Sequence, residues 1–203
     1  GPNFPTNEDE QFQYLKKRPW MDYYIVKEAE HAFYRLISEL INKSNLEIIS
    51  KLPNLVFIKN EKFYPHQKIE RIMDLTAIPS PYLSGKLDSF LDGKLLPIIQ
   101  TNRGCPFSCT FCTEGQEYWL KVRAKSREVV EGEVSYISKK MNNRNSNKKR
   151  SDLYIADSNF AMYKEDLDTC RVLAKEQKKT GYPKYINVST GKNKQDRILE
   201  AAK

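Results

Sequence analysis

The chain has 203 residues, 39% hydrophobic and 30% charged, with a net charge of +8. That balance suits one folded domain or parts of two and excludes a disordered polymer. No apolar run nears the ~20 residues that span a bilayer, and no charged-then-apolar leader opens the chain, so no membrane contact and a cytoplasmic location are expected.

In chain order, residues 1–44 read as the end of an α/β unit. Asn7 to Lys17 is polar with Phe12 and Leu15 on one side, and Tyr23 to Val26 is a short apolar strand. From Ala29 to Ile41, the apolar residues Ala32, Phe33, Leu36, Ile37, Leu40 and Ile41 repeat at helical spacing and predict one buried face. Leu55–Ile58 and Phe63–Tyr64, either side of a polar Lys59–Lys62, predict a hairpin. Pro65, Pro79, Pro81 and Pro97 mark residues 65–97 as an extended linker, since proline restricts itself and its predecessor.

Beyond Pro97 strands and helices alternate. Ile98–Thr101 is the first strand, and Ser126 caps a helix running to about Met141. Leu153–Ala156 is the second strand, ending at Asp157, and a second helix covers about Lys164 to Lys179 before the Gly181 stop. Tyr185–Val188 is the third strand, and Asp196 to Lys203 begins a third helix. Alternation of this kind implies parallel strands with helical crossovers, and a closed α/β barrel takes six to eight such units. Much of the positive charge lies in the Asn-rich run from Asn142 to Arg150. Without interleaved aromatics to stack bases, this run reads as a solvated loop and not as a nucleic-acid contact.

Cysteine usage is the sharpest signal. Three of four cysteines fall in eight residues, Cys105-Pro-Phe-Ser-Cys109-Thr-Phe-Cys112. Three thiolates on one loop would leave one iron of a cubane cluster open to a further ligand. The competing reading is a zinc-binding interaction module, with the basic loop contacting nucleic acid. Zinc sites want paired C-x₂-C halves and four ligands, and the two histidines, His31 and His66, lie far upstream. Cys170 falls on the apolar face of its helix and reads as a packed core thiol.

The C-x₃-C-x₂-C loop, with Phe111 before its last cysteine, resembles the radical S-adenosylmethionine (SAM) superfamily. The surrounding Gln100-Thr101-Asn102-Arg103-Gly104-Cys105-Pro106-Phe107 is similar to members that carry an N-terminal cobalamin-binding domain. Residues 1–5, Val26-Lys27-Glu28-Ala29-Glu30, Asp74-Leu75 and Ile78-Pro79-Ser80-Pro81 resemble flanking motifs of that subgroup. Lys27 and Ala29 stand where a Gly-Glu-Gly-Glu pattern has its glycines, and Ala161 stands where glycine usually follows Asp-x-Asn-Phe.

The resemblance implies an α/β fold in which residues 98–203 are the first three βα units of a radical SAM barrel. Residues 1–64 would be the C-terminal remnant of a Rossmann-like cobalamin-binding domain. It implies an enzyme in which Cys105, Cys109 and Cys112 hold a [4Fe-4S] cluster, and SAM binds the open iron and is cleaved to a 5′-deoxyadenosyl radical, or cobalamin serves radical methyl transfer. Phe111, Asp157, Asn159 and Ser189 would line the cofactor site, although Asp157 and Asn159 could equally cap a helix or form an Asx turn. A small-molecule substrate and an electron donor such as flavodoxin or ferredoxin are implied as partners; no catalytic side chain is assigned.

Overall fold

The computed structural model describes residues 4–142, 150–191 and 193–203. The chain divides into two compact units, Gly1–Met73 and Asp74–Lys203. The basic run falls on residues 143–149, outside the described residues.

In the first unit, helix α1 (Glu8–Lys16) starts at Asn7, whose side chain accepts from the backbone N–H groups of Asp9 and Glu10. Strand β1 (Tyr24–Ile25), helices α2 (Glu30–Ile41) and α3 (Leu46–Ser50), and strands β2 (Leu55–Lys59) and β3 (Lys62–Tyr64) follow. The sheet order is β1-β2-β3 and both pairings are antiparallel. The expected hairpin forms, with Asn60 (φ 50°) and Glu61 (φ 61°) both left-handed, the backbone that a two-residue turn of this twist needs. A Rossmann-like remnant would show parallel pairing. Here β1 and β2 are joined through two helices yet run in opposite directions.

One face of α2 departs from expectation. Ala32 and Leu36 are buried, whereas Phe33, Ile37, Leu40 and Ile41 are exposed. A sheet of three short strands covers one ridge of the helix, where Leu36 packs with Ile49, Leu55 and Phe57, and the adjacent ridge points away.

In the second unit, residues 74–97 are not an extended linker. Their short 3₁₀ turns, Leu75–Ala77 and Asp88–Phe90, fold back, and Tyr82 and Leu91 join the core. The Tyr82 hydroxyl donates to the Ile98 carbonyl (2.7 Å) and accepts from its N–H (3.1 Å). Prolines shape this stretch, but its apolar side chains are what bury it.

Strands β4 (Ile98–Ile99) and β5 (Asn102–Arg103), helix α4 (Glu117–Leu120), strand β6 (Arg123–Ala124) and helix α5 (Arg127–Met141) come next. Strand β7 (Asp152–Phe160), helix α6 (Lys164–Thr180), strand β8 (Tyr185–Thr190) and helix α7 (Gln195–Ala201) complete the unit. β4, β7 and β8 form a parallel sheet in that order, with α5 and α6 as crossovers. Ser126 caps α5 as expected, accepting from the Val129 N–H. Val130, Val134, Ile137 and Met141 of α5 pack on Leu153, Ile155, Val172 and Leu173.

Of the three motif glycine positions held by other residues, Ala29 has an ordinary right-handed backbone (φ −104°) and the other two do not. Lys27 (φ 64°) and Ala161 (φ 67°) both keep the left-handed backbone that glycine adopts at no steric cost. An L-residue there costs roughly 1–2 kcal/mol, offset by glycine's extra unfolded-state entropy of roughly 0.5–1 kcal/mol. Lys27→Gly is therefore expected to stabilise the first unit by about 0.5–1 kcal/mol in chemical denaturation. Ala161 is buried in the core. Losing its methyl forfeits about 0.8 kcal/mol, so Ala161→Gly is expected to be near neutral.

Candidate metal centre

The cysteine loop leaves the carboxyl end of the parallel sheet, where open α/β sheets and barrels build their sites. Its base is tied by an antiparallel pair that the sequence did not reveal, Asn102 with Ala124 and Arg103 with Arg123. The Lys125 N–H donates to the Thr101 carbonyl (2.8 Å) beside it. Lys125 in turn forms a largely buried ion pair with Glu133 (3.0 Å), anchoring the return strand to α5.

Two glycines shape the loop. Gly104 has φ +115°, and a Cβ on it would lie 2.7 Å from the Trp119 carbonyl oxygen and 3.0 Å from that of Lys121. This close approach lets the Cys105 N–H donate to the Trp119 carbonyl (3.0 Å). Further on, the Cys112 N–H donates to the Cys109 carbonyl (3.1 Å) and the Gly115 N–H to the Cys112 carbonyl (3.0 Å), which winds the loop through two consecutive turns. A Cβ on Gly115 would stand 2.2 Å from the Cys109 oxygen. Glycines flanking a cysteine cluster are the sequence signal that could have marked this tight winding.

All three loop cysteines are free thiols; Cys105 is half-buried, while Cys109 and Cys112 are exposed. Among the described residues no group of three His, Cys, Asp or Glu side chains stands close enough together to hold a metal ion. The loop thus supplies three soft sulfur donors without drawing them together. The donor chemistry nonetheless fits an iron–sulfur cluster: thiols alone, on a loop whose winding is set by backbone contacts, with the side-chain amide of Asn159 donating to Cys105 Sγ (3.2 Å). Cys170 packs against the core on α6, and burial pushes its thiol up to about 11, as suits an inert structural cysteine.

Strand β7 corrects the expectation for Asp157. The strand does not end there but runs to Phe160, with a register irregularity between Ile155 and Phe160. Asp157 is buried, and its carboxylate accepts from the Thr101 N–H (2.8 Å), the Thr101 hydroxyl, the Asn102 N–H (3.2 Å) and the Asn102 side-chain amide (2.9 Å). It neither caps a helix nor presents an open oxygen to a cofactor. Burial raises its pKa, while these hydrogen bonds oppose the rise. Asn159 likewise forms no Asx turn but faces the first cysteine. Phe111 is 84% exposed on the loop, and Ser189 is exposed near the end of β8.

A second acidic group that sequence reasoning passed over adjoins Asp157. Asp166 is buried in the first turn of α6, accepts from the Tyr163 N–H (2.9 Å) and lies 3.5 Å from the Asn102 side-chain nitrogen. Burial, together with the nearby Asp157 charge, pushes it up to about 6. Burial first, with Asp166, Asp157 and Glu114 nearby, pushes the Tyr163 phenol up to about 12, so it stays protonated.

Three outcomes are expected. Because the folded state holds the Asp166 proton more tightly than the unfolded chain, whose carboxylate titrates near ~3.9, its stabilising contribution is complete below that pH. The contribution is lost as pH rises through about 6. Denaturation midpoints of the wild type relative to Asp166→Asn, which keeps an acceptor for Tyr163, should therefore fall between about pH 4 and about pH 6. Separately, Gly104→Ala should cost about 2 kcal/mol or more by thermal denaturation, since both its φ and its clash are with backbone. Gly115→Ala should instead act locally, exposing the Cys109 segment to limited proteolysis with a smaller loss.

No protein-family model matches the chain. Curated relatives do. The 2-(S-pantetheinyl)-carbapenam-3-carboxylate methyltransferase of Streptantibioticus cattleyicolor is 29% identical over the whole chain. The cobalamin-dependent radical SAM methyltransferase TokK of Streptomyces tokunonensis is 27% identical, also over the whole chain. The chain spans 29% of the length of each. Among solved structures, the apo form of the cobalamin-dependent SAM radical enzyme OxsB matches 85% of the chain and 23% of its own, with a TM-score of 0.60 and 22% identity. The radical SAM methyltransferase TsrM from Kitasatospora setae, with cobalamin and a [4Fe-4S] cluster bound, matches 83% of the chain and 33% of its own, with a TM-score of 0.54 and 13% identity. The chain has a mixed α/β fold shared with these structures, and TokK, OxsB and TsrM are named as radical SAM enzymes that depend on or bind cobalamin, the subgroup of the superfamily that the cysteine loop resembles.

Proposed function

We propose that this chain is the part of a radical SAM enzyme that carries the cluster loop, in which Cys105, Cys109 and Cys112 hold a [4Fe-4S] cluster. The observation that carries the reading is the loop itself. It puts three free thiols and no histidine at the carboxyl end of a parallel βαβαβ sheet, in a chain aligned end to end with a radical SAM methyltransferase. On this reading the second unit corresponds to the first three βα units of a radical SAM barrel. The OxsB match covers more of the chain than either unit supplies alone, in keeping with a first unit that adjoins the cobalamin-binding part.

The chain's own contribution is placement. Asp157 and the β5–β6 pair fix the root of the loop, Gly104 and Gly115 fix its course, and the exposed sulfurs of Cys109 and Cys112 are open to metal. With SAM on its open iron, the bound cluster would supply the electron that cleaves the sulfonium to methionine and a 5′-deoxyadenosyl radical. Phe111 and Ser189, both exposed, are available to line the SAM site. Asp157 is not, since its oxygens are taken up by Thr101 and Asn102. Methyl transfer through cobalamin to a small molecule is the reaction type that the name of TokK favours; a donor such as flavodoxin or ferredoxin would supply the electron. No helix among the described residues is long and apolar enough to cross a membrane. The zinc reading loses its support, because the relative TokK is a radical SAM methyltransferase and Cys170, the remaining thiol, belongs to the core.

Anaerobic reconstitution with iron and sulfide tests this. About four irons and four sulfides per chain are expected, with a thiolate-to-iron absorption band and a paramagnetic signal on reduction. Alanine at any of the three loop cysteines should abolish the signal, and Cys170→Ala should not. A colourless protein holding stoichiometric zinc would overturn the proposal.

A further inference from the structure

Strand β7 alternates with period two along its length, and Leu153, Ile155, Asp157 and Asn159 share one buried face. That face changes character at its carboxyl end. Leu153 and Ile155 enter the hydrophobic core, while Asp157 takes hold of Thr101 and Asn102, and Asn159, 9% exposed, reaches Cys105. One strand therefore grips the incoming polypeptide twice, first at the root of the loop and then at its first sulfur. The neighbouring register is consistent, since β4 pairs in parallel with β7, Ile98 opposite Tyr154 and Ile99 opposite Ile155. Just beyond that ladder the Thr101 N–H reaches Asp157, and Cys105 four residues on meets Asn159.

We infer that Asn159 is a positioning residue for the Cys105 sulfur, and that its side-chain N–H sets the reduction potential of the metal centre through that one ligand. This rests on the proposed function, in which Cys105 is a cluster ligand. A hydrogen bond to a metal-bound thiolate withdraws charge from it and favours the reduced, more negative state. The three sulfurs are unequal in surroundings: Cys105 is half-buried under the Asn159 amide, whereas Cys109 and Cys112 face solvent.

The full chain, reconstituted anaerobically with iron and sulfide, is titrated redox-step by redox-step and followed by electron paramagnetic resonance. Wild type is compared with Asn159→Leu, which removes the donor at similar size, with Asn159→Asp, which replaces it by an acceptor, and with Asn159→Gln, which restores a donor. The midpoint potential should shift negative in Asn159→Leu, further negative in Asn159→Asp, and back toward wild type in Asn159→Gln, with iron content retained. If Asn159→Leu holds no cluster, the Gln and Asp variants decide, and equal potentials for that pair overturn the assignment. Equal potentials for wild type, Leu and Asp variants overturn it while leaving the cluster reading intact. A wild-type chain that takes up no cluster overturns both.

Discussion

The Asp157 carboxylate, buried at the carboxyl end of β7, receives hydrogen bonds from the backbone and side chains of Thr101 and Asn102. An ionised carboxylate removed from water without partners is among the most costly groups a core can hold. Satisfied by several donors at once, it becomes a constraint that only one chain path meets, because Thr101 and Asn102 must lie against β7 for the oxygens to be filled. The sheet, the origin of the loop and the position of its first cysteine all follow from that requirement. Asn102 extends the link toward Asp166, so two buried acids lie within one polar network at the root of the loop.

From this root the loop grades from fixed to open. The β5–β6 pair and Gly104 hold its base through backbone contacts that admit no side chain. Cys105 sits half-buried where the base ends, and Cys109, Cys112 and Phe111 are exposed beyond it. A loop that must present sulfur to a metal and leave one iron open needs both qualities. Placement comes from the buried end and access from the other.

Much of this was legible in the sequence wherever one local rule acted alone. The Ser126 cap, the starts of the parallel strands and the polar hairpin turn were each read within a residue or two of where they lie. The misreadings share a cause, namely tertiary partners distant in sequence. Asp157-Ser158-Asn159 looks like a turn by propensity. It is strand because β7 resumes its pairing with β8 at Phe160, and its inward side chains meet Thr101, Asn102 and Cys105, more than fifty residues earlier. The prolines of residues 65–97 argued for a linker, but Tyr82 and Leu91 carry that segment into the core. The β5–β6 pair is two residues long on each side and leaves no periodic trace. The α2 helix erred in the other direction: its apolar pattern was real, yet the small antiparallel sheet buries only the ridge of Ala32 and Leu36.

Order in the loop and order in the sheet are coupled through β7. Were the loop root to detach, Asp157 would exchange these donors for water, at a net cost of about 0.5–1.5 kcal/mol for each hydrogen bond lost. Thr101 and Asn102 would lose their acceptor in the same event. Local opening of the root therefore costs several kcal/mol, a sizeable share of the stability of an ordinary domain. The exposed thiols can adjust to an incoming metal while the root does not yield. The alternation of β7, apolar at Leu153 and Ile155 and polar at Asp157 and Asn159, places that boundary within a single strand. The residues that make the core and the residues that aim the loop are successive positions on the same face, so the site inherits the rigidity of the sheet from which it grows.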